Sequence, residues 1–95
     1  MPSLSDELVD AVMAFLVPLR MADGYSEENF QRMCESVRKF NRSYADSDSI
    51  PKVVASVFVE LNPAIEGCMS LYNESERKQL LDAAVTVTEI ILEGL

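Results

Sequence analysis

The sequence predicts an all-α protein, a compact bundle of about five helices formed by residues 1–95 as a single helical domain. Two observations carry this. Apolar residues recur at steps of three and four along almost the whole chain, and the interruptions carry helix-capping chemistry rather than hairpin turns. Glycine occurs three times and proline four times in 95 residues, so no long flexible linker divides the chain, and 48% hydrophobic residues suffice for one modest core.

The first helix opens at Ser3 or Ser5, with Asp6 and Glu7 against its positive N-terminal end. Leu8, Val9, Val12, Met13, Phe15, Leu16 and Leu19 cover nearly its whole circumference. A helix apolar all round is central in a fold or shared at an interface. Pro18 lacks the amide hydrogen that a helix interior uses, which predicts a kink or an early stop there. Ala22-Asp23-Gly24-Tyr25-Ser26-Glu27-Glu28 forms an acidic corner. Gly24 ends the first helix, and Ser26 caps the second.

The second helix is the most clearly amphipathic, with Phe30, Met33, Cys34, Val37 and Phe40 on one face. Glu28/Arg32 and Glu35/Lys39 are acid-first pairs at i, i+4 on its outer face, and Arg38 and Lys39 suit its C-terminal end. Asn41 to Ser49 reads as a polar loop. Ser49 or Asp48 then caps a third helix, with Pro51 in its first turn and Ile50, Val53, Val54, Val57, Phe58 and Leu61 as its stripe. Asn62-Pro63 is expected to break that helix. A short fourth one follows, placing Ile65, Met69 and Leu71 or Tyr72 inward. Asn73 and Glu76 have capping-box spacing for a fifth helix that buries Leu80, Leu81, Ala84, Val87, Thr88, Ile91, Leu92 and Leu95.

Sixteen acids against eight bases leave a net charge of −8. Such a surface repels nucleic-acid backbones and anionic membranes, and attracts cations or basic protein surfaces. The bases concentrate in the middle of the chain, at Arg32, Arg38, Lys39, Arg42 and Lys52. The N-terminus shows no basic start of a signal peptide, and the apolar stretch Ala11–Leu19 is too short to span a bilayer, so a cytoplasmic protein without membrane insertion is expected. Cys34 and Cys68 fall on apolar faces, where buried free thiols are expected and a disulfide lacks support.

No residue set suggests catalysis. Histidine is absent, which removes imidazole acid–base chemistry and imidazole metal sites, and the three glycines are isolated, which removes a phosphate-binding loop. The expectation is a non-enzymatic protein.

The corner resembles that of the tellurite-resistance TerB-like family. Those proteins end an apolar helix in an Ala-Asp-Gly turn and open an amphipathic helix with acids after a short spacer. Here the matching residues are Ala22-Asp23-Gly24, then Glu27 and Glu28, then Phe30 onward. The match covers residues 8–40, with a looser likeness over 73–92. The family often repeats the turn after its later helix, whereas this sequence has Glu93-Gly94-Leu95 there, so a site built from two such turns would be half missing. The resemblance implies a stress-related, non-enzymatic protein that binds a metal ion weakly, with Asp23 as ligand and Glu27 and Glu28 as helpers. Carboxylates on a turn suit Ca2+ or Mg2+. The spacing is not that of an EF-hand. The same residues also have a purely structural reading, in which Asp23 shapes the turn, Gly24 takes a left-handed backbone and the two glutamates complement the helix dipole.

Two expectations about partners follow. The nearly all-apolar first and last helices are hard to enclose together in one small bundle, which suggests a homodimer or docking on another protein. The alternative is an acidic inhibitor or immunity-type protein whose carboxylates mask a basic site on its target.

Overall fold

In the computed structural model, residues 3–94 are described, and they form an all-α bundle. Helix α1 spans Leu4–Arg20, α2 Glu27–Ser43, α3 Lys52–Cys68 and α4 Glu74–Glu93, with a 3-10 turn at Met69–Leu71 between the last two. The expected count of about five resolves into these four helices and the turn. Leu95, expected in the core face of the last helix, lies outside the described residues.

Three of the four α-helices have side-chain caps at residues expected from the sequence. Ser3 caps α1 in a reciprocal capping box with Asp6, Ser26 Oγ accepts from the Asn29 amide, and Asn73 accepts from the Glu76 amide. For α3, Pro51 occupies the cap position and provides no side-chain bond, so Ser49 and Asp48 are not its caps.

The break expected at Asn62-Pro63 does not occur. Helix α3 runs through Pro63 to Cys68 and absorbs the expected fourth helix. A proline frees the carbonyl four residues earlier, here that of Val59, a residue 75% exposed on the solvent side of the helix. Helix α1 likewise runs through Pro18, ending two residues later at Arg20. The carbonyl freed there is that of Ala14, and Asn29 Nδ2 of α2 donates to it at 3.1 Å. A side chain from the neighbouring helix thus replaces the bond that proline removes.

The first helix ends before Gly24. Met21 is its C-terminal cap and Ala22 takes the left-handed conformation at φ 60°. The Asp23 amide donates to the Pro18 carbonyl at 2.8 Å and the Ala22 amide to Leu19 at 3.2 Å, the paired bonds of a Schellman ending. Gly24 is also left-handed, at φ 105°, so the corner contains two such residues where one was expected.

Helix α1 packs on α2 and α3, and α4 packs on the same two. The Glu7–Lys39 contact sets α1 antiparallel to α2. Asn41 Nδ2 donates to the Ile90 carbonyl at 2.8 Å, so α2 and α4 end side by side. Tyr72, just before α4, reaches Leu19 at the end of α1, so the corner and the α3–α4 junction share the opposite end of the bundle.

The core is built from Leu8, Phe15, Leu19, Met33, Val37, Phe40, Val54, Leu61, Ile65, Leu80 and Val87, all nearly solvent-free, with no buried charged residue among those described. Phe40 stacks on Tyr44 with ring centroids 4.4 Å apart and meets Phe58 of α3 edge-on. Helix α2 extends to Ser43, so Asn41 belongs to it rather than to the loop. Several expected core positions face outward: Met13 of α1, Val53 of α3, and Leu81 and Leu92 of α4 are exposed. Ala83 and Ile90 take the inward places on α4.

Candidate functional site

The acidic corner is built as a joint. Tyr72 Oη donates to the Leu19 carbonyl at 2.8 Å and accepts from the Gly24 amide at 3.2 Å, pinning both sides of the turn to the α3–α4 junction. Tyr25 packs edge-on against Phe15 and tilts against Phe30, which gives it the core-edge role. Its hydroxyl donates to Glu27 Oε2, and Gln31 Nε2 donates to Glu27 Oε1 at 2.8 Å. Burial, and then the bond to Glu27, push the Tyr25 phenol above its ordinary range. The bond from Tyr25, and then that from Gln31, hold the Glu27 carboxyl below its ordinary value.

Asp23, Glu27 and Glu28 are all exposed, and both oxygens of Glu27 are engaged within the protein. The three do not converge. Among the described residues no group of three or more His, Cys, Asp or Glu side chains is placed to hold a metal ion. The free thiols are buried, and burial raises that of Cys34 away from nucleophilic range. The expected pairs Glu28/Arg32 and Glu35/Lys39 do not close. Lys39 instead reaches Glu7 of α1 at 3.2 Å, the one ion pair among the described residues.

The other distinctive surface is the outer face of α3 and α4. The segment Lys52–Leu71 is, by length and composition, apolar enough to cross a membrane, and 22% of its apolar window is buried in the bundle. The expected break at Pro63 had hidden this length. On α4, Leu81, Val85 and Leu92 are 53%, 54% and 60% exposed. Asn62, Glu66, Leu81, Ala84, Val85, Thr88 and Glu89 line a shallow hollow between the two helices. A second hollow, lined by Met69, Glu74, Ser75, Arg77, Lys78 and Leu81, adjoins it at Leu81. At the groove floor, Asn62 Nδ2 donates to Thr88 Oγ1 at 2.8 Å and the Thr88 hydroxyl to the Ala84 carbonyl at 2.7 Å. Asn62 Oδ1 is buried there without a partner.

The sequence does not single out this face, since Leu81 and Leu92 each adjoin a residue of the core stripe. The signal that could have found it is a second stripe on α4, Lys78, Leu81, Val85, Thr88 and Leu92, beside the core stripe Leu80, Ala83, Ala84, Val87, Ile90 and Ile91. Its steps alternate three and four, the spacing of a helix-pairing seam.

Comparison with known proteins adds no relative: no family model, no curated protein and no solved structure matches this chain.

Proposed function

We propose that this protein is a non-enzymatic interaction module that self-associates through the outer face of α3 and α4. The observation that carries the reading is the exposure of Leu81, Val85 and Leu92 along one side of α4, next to an apolar α3 that the bundle covers only in part. An apolar stripe of this kind on a 95-residue protein lowers its free energy by being covered. The stress-related aspect rests on the TerB-like corner alone. A weak Ca2+ or Mg2+ contact at that corner would fall to Asp23 and Glu28, since the oxygens of Glu27 are already engaged.

A photo-activatable side chain at position 85 tests the reading against the same group at position 32, on exposed α2 surface. Irradiation should give an adduct of twice the chain mass from position 85 and none from position 32. Equal labelling at both positions, or none at either, contradicts it.

The acidic-inhibitor reading has one observation in its favour. With one ion pair among the described residues, the carboxylates are largely uncommitted and available to a basic target. It predicts that a basic protein is retained at low salt and released as salt rises, with adducts at position 85 of a mass other than twice the chain.

A further inference from the structure

The self-association reading leaves open how two copies would meet, and the inference here rests on that reading. We infer that the occupant of the α3–α4 groove is the α4 helix of a second copy, lying antiparallel with the two-fold axis at Val85. The ends of the seam Lys78, Leu81, Val85, Thr88 and Leu92 lie seven residues to either side of Val85, so a two-fold there superposes Lys78 on Leu92. The seam extends about 21 Å at 1.5 Å per residue. A helix carrying a matching seam fills such a stripe along its length, and this chain supplies one.

Charge selects the direction. The hollow at the N-terminal end of the seam has Arg77 and Lys78 with Glu74, and the hollow at the other end has Glu66 and Glu89 with no base. Glu93 follows Glu89 one turn later on α4. An antiparallel two-fold brings the basic end of each copy over the acidic end of the other: Lys78 lies across from Leu92, Arg77 faces Glu93, and Val85 meets its own symmetry mate. A parallel pair would set Glu89 on Glu89 and Arg77 on Arg77, which like-charge repulsion disfavours. An isologous contact of this kind closes at two copies and leaves no open end for a fibre. The acidic rim also opposes an anionic membrane as occupant.

One charge is left unanswered. Glu66 lines the same hollow as Leu81, where the antiparallel partner would bring its own Glu89. Neutralising Glu66 should therefore tighten a self-pair, whereas it would weaken the hold on a basic helix from another protein.

Variants of the full chain with one added cysteine test this, since Cys34 and Cys68 are buried. Val85→Cys should form an intermolecular disulfide with itself. Lys78→Cys and Leu92→Cys should each give several-fold less alone and cross-link efficiently when mixed. Sedimentation of Glu66→Gln should show a dissociation constant reduced about 3-fold, and Arg77→Glu with Lys78→Glu one raised about 10-fold or more. Adding Glu89→Lys and Glu93→Lys to that double variant should restore pairing, a result that a merely misfolded variant cannot give. Self-linking at 78 and at 92 with none in the mixture means a parallel pair and overturns the inference while leaving self-association standing. A wild-type protein that sediments as a monomer up to about 100 μM overturns both. A monomer that binds vesicles of anionic lipid identifies a membrane occupant and overturns both as well.

Discussion

Tyr72 donates its phenolic hydrogen to the Leu19 carbonyl at 2.8 Å while taking the Gly24 amide at 3.2 Å. One side chain from the α3–α4 junction thereby closes the end of α1 and the turn that follows it. Tyr72→Phe keeps the ring in its packed place and leaves the Gly24 amide without that partner. The variant should lose about 1–2 kcal/mol, read as a thermal midpoint lower by roughly 4–15 °C for a protein of this size. An unchanged midpoint would mean that the corner holds itself.

Ala22 occupies the left-handed position of the Schellman ending, at φ 60°. A side chain there costs about 1–2 kcal/mol relative to glycine, partly offset by the greater freedom of glycine in the unfolded chain. Ala22→Gly should therefore stabilise by up to about 1 kcal/mol, visible in chemical denaturation. Destabilisation would show that α1 ends in another conformation.

Asn29 and Pro18 are coupled through the Ala14 carbonyl. Asn29→Ala alone removes the donor at 3.1 Å and should cost about 1–2 kcal/mol. In a Pro18→Ala background the residue 18 amide returns, the Ala14 carbonyl regains its helical partner, and the same change should cost less. A double-mutant cycle measures the difference, expected at about 0.5–1.5 kcal/mol. Additivity would separate the two residues.

The raised Tyr25 phenol sets an alkaline limit. The fold favours the protonated form, so its contribution is whole below the ordinary tyrosine value of 10.0 and declines as pH rises above it. Cys34, also raised, adds a decline that begins nearer 9.0. Denaturation curves recorded from about pH 8 to about pH 11 should show stability falling, and Tyr25→Phe should flatten the upper part of that fall. A slope unaltered by the substitution would remove Tyr25 as its source.

The caps of α1, α2 and α4 and the α2 face could be read from the chain because they depend on neighbours in sequence. Ser3 with Asp6, Ser26 with Asn29, and Asn73 with Glu76 each lie three residues apart. Helix α1 ends two residues past Pro18, whereas α3 runs five residues past Pro63 where a break was expected, a difference that only tertiary structure supplies. Whether a carbonyl freed by Pro18 or Pro63 is costly depends on what faces it, and a side chain of α2 faces one while solvent faces the other. The outward face of α4 was missed because Leu81 adjoins Leu80, and Leu92 adjoins Ile91. Which member of such a pair turns inward is settled by where α2 and α3 lie against α4. The corner was located correctly as a turn. Its acids have local partners or face solvent, an arrangement that the order of residues alone does not reveal.

Sedimentation equilibrium of the wild-type chain across the micromolar range tests the central claim most directly. The account predicts a mass that rises from one chain toward two with concentration, and stays at one chain when Val85 is replaced by glutamate. A single-chain mass throughout for the wild type, or a two-chain mass that survives Val85→Glu, would contradict it.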